Sequence, residues 1–366
     1  MNISQLVQSI DTLATAGQLN SIDENQRVQL YQACSKLRAA PASPLDRTLE
    51  LLFSGHQAMA VRLGVDLKLF DSIARHSAGD SEKFITVSQI SGDIKADAKL
   101  VRRIMRFLAS MGILKQISRD EFQSTSFAGA YVSASPLSAA VVYFTHFHSI
   151  ISRLPQYFED KGWNNPEDID DSPFQAAMGI KSRYFDYLKT KPYYQDAFNK
   201  FMASSYGREG KKWFECFPVA GLLCAECPSD VLLVDIGGCH GVELEAFHKK
   251  FPDAPGRLIL QDLLHVIETG DLPAGVEAQG YNFFDEQPVK GARAYYLRNV
   301  LHDWPDELVL KILGRIREAM AAESLLLIEE RVLPEANIPL LSALGDMSMM
   351  VLFAAAERTK GNTRAS

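Results

Sequence analysis

The sequence has little cysteine, no long apolar run and no surplus of positive charge. Its 366 residues hold five cysteines, at 34, 216, 224, 227 and 239. So sparse and odd a set excludes a disulfide framework and points to reduced thiols in a cytoplasmic setting. Cys224-Ala-Glu-Cys227 has the spacing of a redox or metal pair, but no second pair completes a zinc site, so no metal is expected. No stretch approaches the ~20 apolar residues that span a bilayer. The start, Met-Asn-Ile-Ser-Gln, lacks the basic residues and apolar core of an export signal. A net charge of -7 and a pI of about 5.7 disfavour nucleic acid or an anionic membrane as partner.

What is present centres on residues 231–241, Val-Leu-Leu-Val-Asp-Ile-Gly-Gly-Cys-His-Gly. The apolar run reads as a strand buried on both faces. Asp235 follows it, then a turn with Gly237, Gly238 and Gly241, then helical spacing from Val242. Strand, glycine turn and helix N-terminus form a ligand crevice at the carboxyl end of a parallel sheet. Glycine there lets a ligand approach the backbone. Asp262 ends a second apolar run, at roughly the 20-residue distance where such folds place a ribose-binding carboxylate. On these residues alone the ligand is a nucleotide-like cofactor.

Upstream, Ile3, Leu6, Val7, Ile10 and Leu13 stripe a helix over 2–20 that needs a partner surface. Asp23 is placed to cap a second helix, and residues 39–44 read as a stiff linker. Helices follow over 49–63 and 65–73, separated by Gly64. In 84–125, Ser88 and Asp97 are expected caps of two helices, Gly112 ends the second, and strands flank residues 118–121. That order is a winged helix. Lys99, Arg102, Arg103 and Arg106 on its second helix suit DNA, but the negative net charge favours a solvated or domain-packed face. Residues 137–202 are helical and aromatic. Such stripes are mostly core, yet they can also wall an apolar pocket. His146 and His148 are two apart, so at most one faces it. From Val231 onward strands and helices alternate, as in a doubly wound α/β sheet.

The strand ending near Arg298 delivers His302-Asp-Trp-Pro-Asp306 to the same sheet edge. A histidine there can take a proton from a phenol or alcohol. Equally, His302 can be a satisfied edge residue and Asp303 or Asp306 a helix cap. Glu329 and Glu330 end the next strand, and only one of the two can turn toward His302.

Residues 233–241, Gln261-Asp-Leu-Leu-His-Val-Ile267, Leu297-Arg-Asn-Val-Leu-His-Asp-Trp-Pro-Asp-Glu307 and Leu327-Ile-Glu-Glu-Arg-Val-Leu-Pro334 fall in an order that resembles a known family. It is that of the S-adenosylmethionine-dependent O-methyltransferases of plant phenolic and fungal secondary metabolism, and the resemblance spans residues 49–359. It implies a Rossmann-like methyltransferase sheet, an N-terminal winged-helix dimerisation domain and a homodimer. The expected division is 1–130 for dimerisation and 131–366 for acceptor and cofactor binding. By the resemblance, Asp235, Gly237, Gly238 and Gly241 surround the amino-acid end of S-adenosylmethionine and Asp262 its ribose. Asn282 and Phe283 fall near adenine, and Arg298 beside the cofactor. His302 matches the general base, flanked by Glu330 and Glu357. Met202 matches a methionine that clamps the acceptor ring, with Phe147, His148 and Phe198 expected in the same pocket. The acceptor implied is a small aromatic or polyketide-like hydroxyl compound.

Three departures stand out. Cys239-His240 interrupts the glycine turn, Asn282 replaces an aspartate, and no family-type helix and hairpin follow Glu357-Arg-Thr359. They keep two alternatives open: a pericyclase or cyclase on the same scaffold, and a non-catalytic or hetero-oligomeric subunit.

Overall fold

The computed structural model describes residues 2–15, 22–80, 82–204, 212–223, 225, 227–268 and 272–361. Cys224 of the Cys224–Cys227 pair and residues 16–20 of the expected first helix fall outside them. The chain forms two compact units, residues 1–60 and 61–366.

In the first unit, helices Ile3–Thr15 and Glu24–Ala39 precede the start of Pro44–Asp66. Asp23 and Gln26 close a capping box: the Gln26 N–H donates to Asp23 Oδ1 at 2.8 Å, and the Asp23 N–H donates to Gln26 Oε1 at 3.2 Å. Glu24–Ala39 nevertheless buries no residue. Ile3, Val7, Leu13, Leu51 and Leu52 are exposed as well.

The second unit opens with the winged helix. Strands β1 (Ile85–Thr86), β2 (Leu114–Gln116) and β3 (Glu121–Ser124) pair antiparallel in the order β1-β3-β2, against helices Val87–Ile94 and Ala98–Ser110. Two local expectations need correction. Thr86, not Ser88, caps the first helix, because Gln89 completes its capping box. Gly64 does not break Pro44–Asp66. It is needed where Phe70 packs, since a Cβ there would lie 2.6 Å from the Phe70 ring, and the chain turns instead at Lys68, φ 54°. Arg102 pairs with Asp120 and so ties the basic helix to its own hairpin.

Short helices follow from Pro136–His146 to Pro192–Ala203. They pack their aromatic residues around Tyr143, Phe174 and Tyr184, with Val351, Leu352 and Phe353 of the late helix Leu340–Phe353. The remainder is a parallel sheet of β4 (Val231–Ile236), β5 (Arg257–Asp262), β6 (Val276–Gly280), β7 (Ala294–Arg298) and β8 (Leu325–Glu329), ordered β6-β5-β4-β7-β8. The order reverses beside β4, so the crevice opens above its carboxyl end. Val234, Ile236, Tyr295 and Leu297 on the central strands are fully buried.

A candidate active site at the carboxyl edge of the sheet

The end of β4 and its turn build one half of the site. Gly237 has φ 74°, and a Cβ on Gly238 would lie 2.5 Å from Asp235 Oδ2 and 2.6 Å from Leu260 Cδ1. Only glycine fits that bend. Cys239 takes φ 52°, an uncommon conformation for a residue with a side chain. There its N–H donates to Asp262 Oδ2 at 2.8 Å, while the Leu263 N–H donates to Asp262 Oδ1 at 2.7 Å. The Asp262 carboxylate is therefore fixed before any ligand arrives. Asp235 is buried and its Oδ2 has no partner. Burial first, then the nearby Glu243 and Asp262, push its carboxyl up to about 8. Arg298 holds Glu329 at 3.2 Å. Asn282 Oδ1 accepts from the Phe284 N–H at 3.2 Å, and Phe283 packs edge-on against Trp304.

The other half is the turn after β7. Asn299 bends with φ 51°, and Leu301–Asp303 forms a single tight helical turn. Glu330 Oε1 accepts from the Val300 N–H at 3.0 Å and the Leu301 N–H at 2.8 Å. Arg358 donates to Leu301 O at 3.0 Å and Trp304 O at 2.9 Å, and pairs with Asp306. His302 Nδ1 thereby lies 3.2 Å from Glu357 Oε1 and 3.9 Å from Glu330 Oε2, and its Nε2 lies 3.6 Å from Asp303 Oδ1. Glu329 faces the other way, toward Tyr296 and Arg298. Burial alone would lower the His302 pKa, but Asp303, Glu357 and Glu330 outweigh it and raise it to about 9. Burial raises Asp303 to about 7, against the pull of His302. His302, Glu330 and Glu357 also bring one ligand-capable atom each within 4.8 Å of the others, a spacing compatible with a metal as well as a charge relay.

A cavity of about 430 Å³ joins the two halves to the aromatic helices. Of the expected site residues, Asp235, Gly237, Gly238, Asp262, Asn282, Phe283, Arg298, Met202 and Phe198 line it. Gly241, His302, Glu330, Glu357, Phe147 and His148 are not in the lining. Gly241 caps helix Val242–Lys250, and His302 stands behind Asp303, which lines the cavity. Phe147 is committed to the core, edge-on to Tyr143 at 4.8 Å and Tyr184 at 6.0 Å. His148 starts a separate short helix, and His146 stacks on Tyr194 at 4.0 Å, its imidazole pushed down to about 4 by burial. Neither histidine faces the cavity. Asp303, Tyr184 and Asn199 do line it, and Arg358 clamps its edge. Asp303 and Arg358 stood inside motifs read for their neighbours; nothing in the sequence marks Tyr184 among the aromatics around it. No helix among the described residues is long and apolar enough to cross a membrane.

Residues 161–365 match the O-methyltransferase domain family and residues 49–141 the O-methyltransferase dimerisation domain. The chain is 31% identical over 339 residues to demethylsterigmatocystin 6-O-methyltransferase of Aspergillus parasiticus, covering 92% of this chain and 86% of that one. Among solved structures it resembles a pericyclic reaction enzyme, with TM-score 0.85, 27% identity, and 99% and 92% of the two chains covered. It also resembles OxaC in complex with sinefungin and meleagrin, with TM-score 0.82, 26% identity, and 98% and 91% covered.

Proposed function

The chain belongs to the S-adenosylmethionine-dependent O-methyltransferase family, and we propose that it methylates a hydroxyl of a small aromatic, polyketide-like compound with His302 as general base. It is an O-methyltransferase of secondary metabolism whose methyl donor is S-adenosylmethionine. The observation that carries the residue assignment is the triad geometry: His302 Nδ1 between Glu357 and Glu330, and its Nε2 3.6 Å from Asp303, which lines the cavity.

The cavity fits the donor. The orphaned, buried Asp235 Oδ2 suits the ammonium of an amino acid, the preset Asp262 carboxylate suits two ribose hydroxyls, and Phe283 and Asn282 suit a base. Bound there, S-adenosylmethionine supplies an electrophilic methyl on a positively charged sulfur. His302 Nε2 takes the proton of the acceptor hydroxyl, and Glu357 and Glu330 hold the imidazole through Nδ1 and offset the charge it gains. Neutral His302 is the reactive form, and a positive charge placed in the cavity lowers the pKa of a neighbouring imidazolium. Phe185, Phe198, Met202 and Phe353 wall the acceptor side and keep water from the reacting oxygen.

The relative named a demethylsterigmatocystin 6-O-methyltransferase supports methylation of a hydroxyl on a small molecule. We assign residues 1–130 to dimerisation and the rest to chemistry, in a cytoplasmic homodimer. The match of 49–141 and the uncovered apolar side chains of the first unit support that assembly. A second reading, a pericyclic rearrangement in which the bound sulfonium acts only as a fixed charge, is favoured by one observation, the likeness to the pericyclic reaction enzyme. Incubation with methyl-labelled S-adenosylmethionine and a panel of phenols separates the two. Labelled ether and S-adenosylhomocysteine are expected. A rearranged substrate with no S-adenosylhomocysteine would overturn methyl transfer.

A further inference from the structure

On the Nδ1 side of His302 lies more carboxylate than the orientation of one imidazole requires. Nδ1 stands 3.2 Å from Glu357 Oε1 and 3.9 Å from Glu330 Oε2. Glu357 is only 7% exposed, and its Oε2 has no hydrogen-bond partner; nor has Glu330 Oε2. Among the described residues no lysine or arginine makes an ion pair with either carboxylate. Buried oxygens left in that state cost stability, and a cation among them removes the cost. The set is also fixed in place. Glu330 Oε1 accepts from the Leu301 N–H at 2.8 Å, and the Glu357 N–H donates to Asp346 Oδ1 at 3.0 Å. His302, Glu330 and Glu357 each bring one ligand atom within 4.8 Å of the others. A tetrahedral zinc with bonds of about 2.0–2.2 Å holds neighbouring ligand atoms about 3.3–3.6 Å apart. The two distances from Nδ1 bracket that edge.

We propose that His302 Nδ1 and the carboxylates of Glu330 and Glu357 form a binding site for one divalent ion of the zinc class, and that the bound ion switches the base off. One imidazole nitrogen and two carboxylate oxygens suit zinc or cobalt, with water in the fourth position. Magnesium and calcium, which take oxygen ligands, fit the set less well. The ion occupies the Nδ1 lone pair, so the single proton of the neutral ring sits on Nε2. That tautomer donates at Nε2 and has no lone pair there to receive the proton of the acceptor. Nε2 lies on the other side of the ring, 3.6 Å from Asp303, which lines the cavity. The ion therefore leaves room for donor and acceptor, and it lowers turnover without displacing either. The switching effect rests on His302 as general base; the site itself does not.

The metal alone tests the site. Chelator-treated full-length protein is titrated with Zn²⁺ by calorimetry and with Co²⁺ by visible absorption. One ion per chain is expected to need this set, and Co²⁺ should show the visible bands of a tetrahedral nitrogen–oxygen site without a thiolate-to-metal band in the near ultraviolet. Glu330→Gln and Glu357→Gln, shown folded by unchanged S-adenosylhomocysteine affinity, should each weaken Zn²⁺ binding at least about tenfold, or about 1.4 kcal/mol. In the wild type Zn²⁺ should lower kcat at least about tenfold and leave the acceptor KM where it was. Binding that survives both glutamine variants, or a Co²⁺ spectrum with a thiolate band, assigns the ion to the exposed cysteines 34, 216, 227 and 239 and overturns the proposal. So does a saturating Zn²⁺ that leaves kcat unchanged. Binding is read without turnover, so a protein that transfers no methyl group even without Zn²⁺ would refute the base assignment and not the site.

Discussion

A histidine beside three carboxyl groups is held as imidazolium, and an imidazolium is not a base. With the His302 pKa raised to about 9 in the ligand-free protein and lowered by the bound sulfonium, acceptor kcat/KM should climb about tenfold per pH unit and level below about pH 9. The same shift stabilises the fold in full below the ordinary histidine pKa near 6.5, and that stability is lost as pH rises through about 9. His302→Gln should lower kcat by about 10²–10⁴ and remove the pH dependence, with S-adenosylhomocysteine affinity by calorimetry unchanged; a variant as active as the wild type would end the base assignment. Asp235 makes the opposite trade of stability for binding. Its carboxyl is raised to about 8, so the native state holds a proton that the unfolded chain releases near pH 4, and stability falls as pH rises between them. Asp235→Asn should melt higher than the wild type by several degrees at pH 9 and by less at pH 6, while losing more than about tenfold in affinity for S-adenosylhomocysteine. These two positions are legible in sequence because Asp235 lies near the carboxyl end of β4 and His302 just after β7, each inside a motif of fixed spacing. Asp303 is not: an aspartate before a proline and a new helix looks like a cap, and only the tight turn after Asn299 aims it at the cavity. Phe147 fails in the other direction, since helical periodicity gives the apolar face but not whether that face meets core or cavity.

At the scale of elements, the turn that carries His302 is not self-supporting. It runs between β7 and helix Asp306–Ala319, and its polar backbone is satisfied from two remote segments, Glu330 after β8 and Arg358 near the last described residues. Arg358→Ala deletes both backbone contacts and the pair with Asp306. Because about 1 Å of misplacement can cost 10²-fold, kcat should fall by about one to two orders of magnitude with S-adenosylhomocysteine affinity intact. Arg358→Lys, which cannot span the same acceptors, should recover only part of it. Equal losses in affinity and kcat would show that Arg358 supports the whole unit and not the turn. The parallel sheet was readable from its runs of Val, Leu and Ile, but β6 was not, because Val-Glu-Ala-Gln-Gly is an edge strand with polar side chains. Gly64 misleads for a related reason: the sequence shows a helix breaker, and only the Phe70 ring packed against it shows why a glycine sits inside a helix.

For the whole molecule the open account is apolar surface. Leu51 and Leu52, 70% and 66% exposed, lie with Ile3, Val7 and Leu13 in a unit whose helix Glu24–Ala39 buries nothing. Helices of this length are marginal without tertiary packing, and Leu49, Leu51, Leu52 and Phe53 stand exposed close together on one helix, as at an uncovered interaction face. The sequence already carried this signal as a stripe without a partner; what it lacked was the boundary of the unit, which composition does not mark. We propose that a second copy of the chain supplies the missing packing, a reading the dimerisation-domain match over 49–141 supports. Light scattering should therefore give twice the 40.7 kDa chain mass, and Leu51→Glu with Leu52→Glu should shift it to the single mass. Each buried glutamate would have to be desolvated at an apolar interface, a cost of several kcal/mol that a dimer of ordinary affinity cannot absorb. If the paired substitution leaves the dimer intact, the interface lies elsewhere, and the exposed leucines of the first unit must be covered by a different partner.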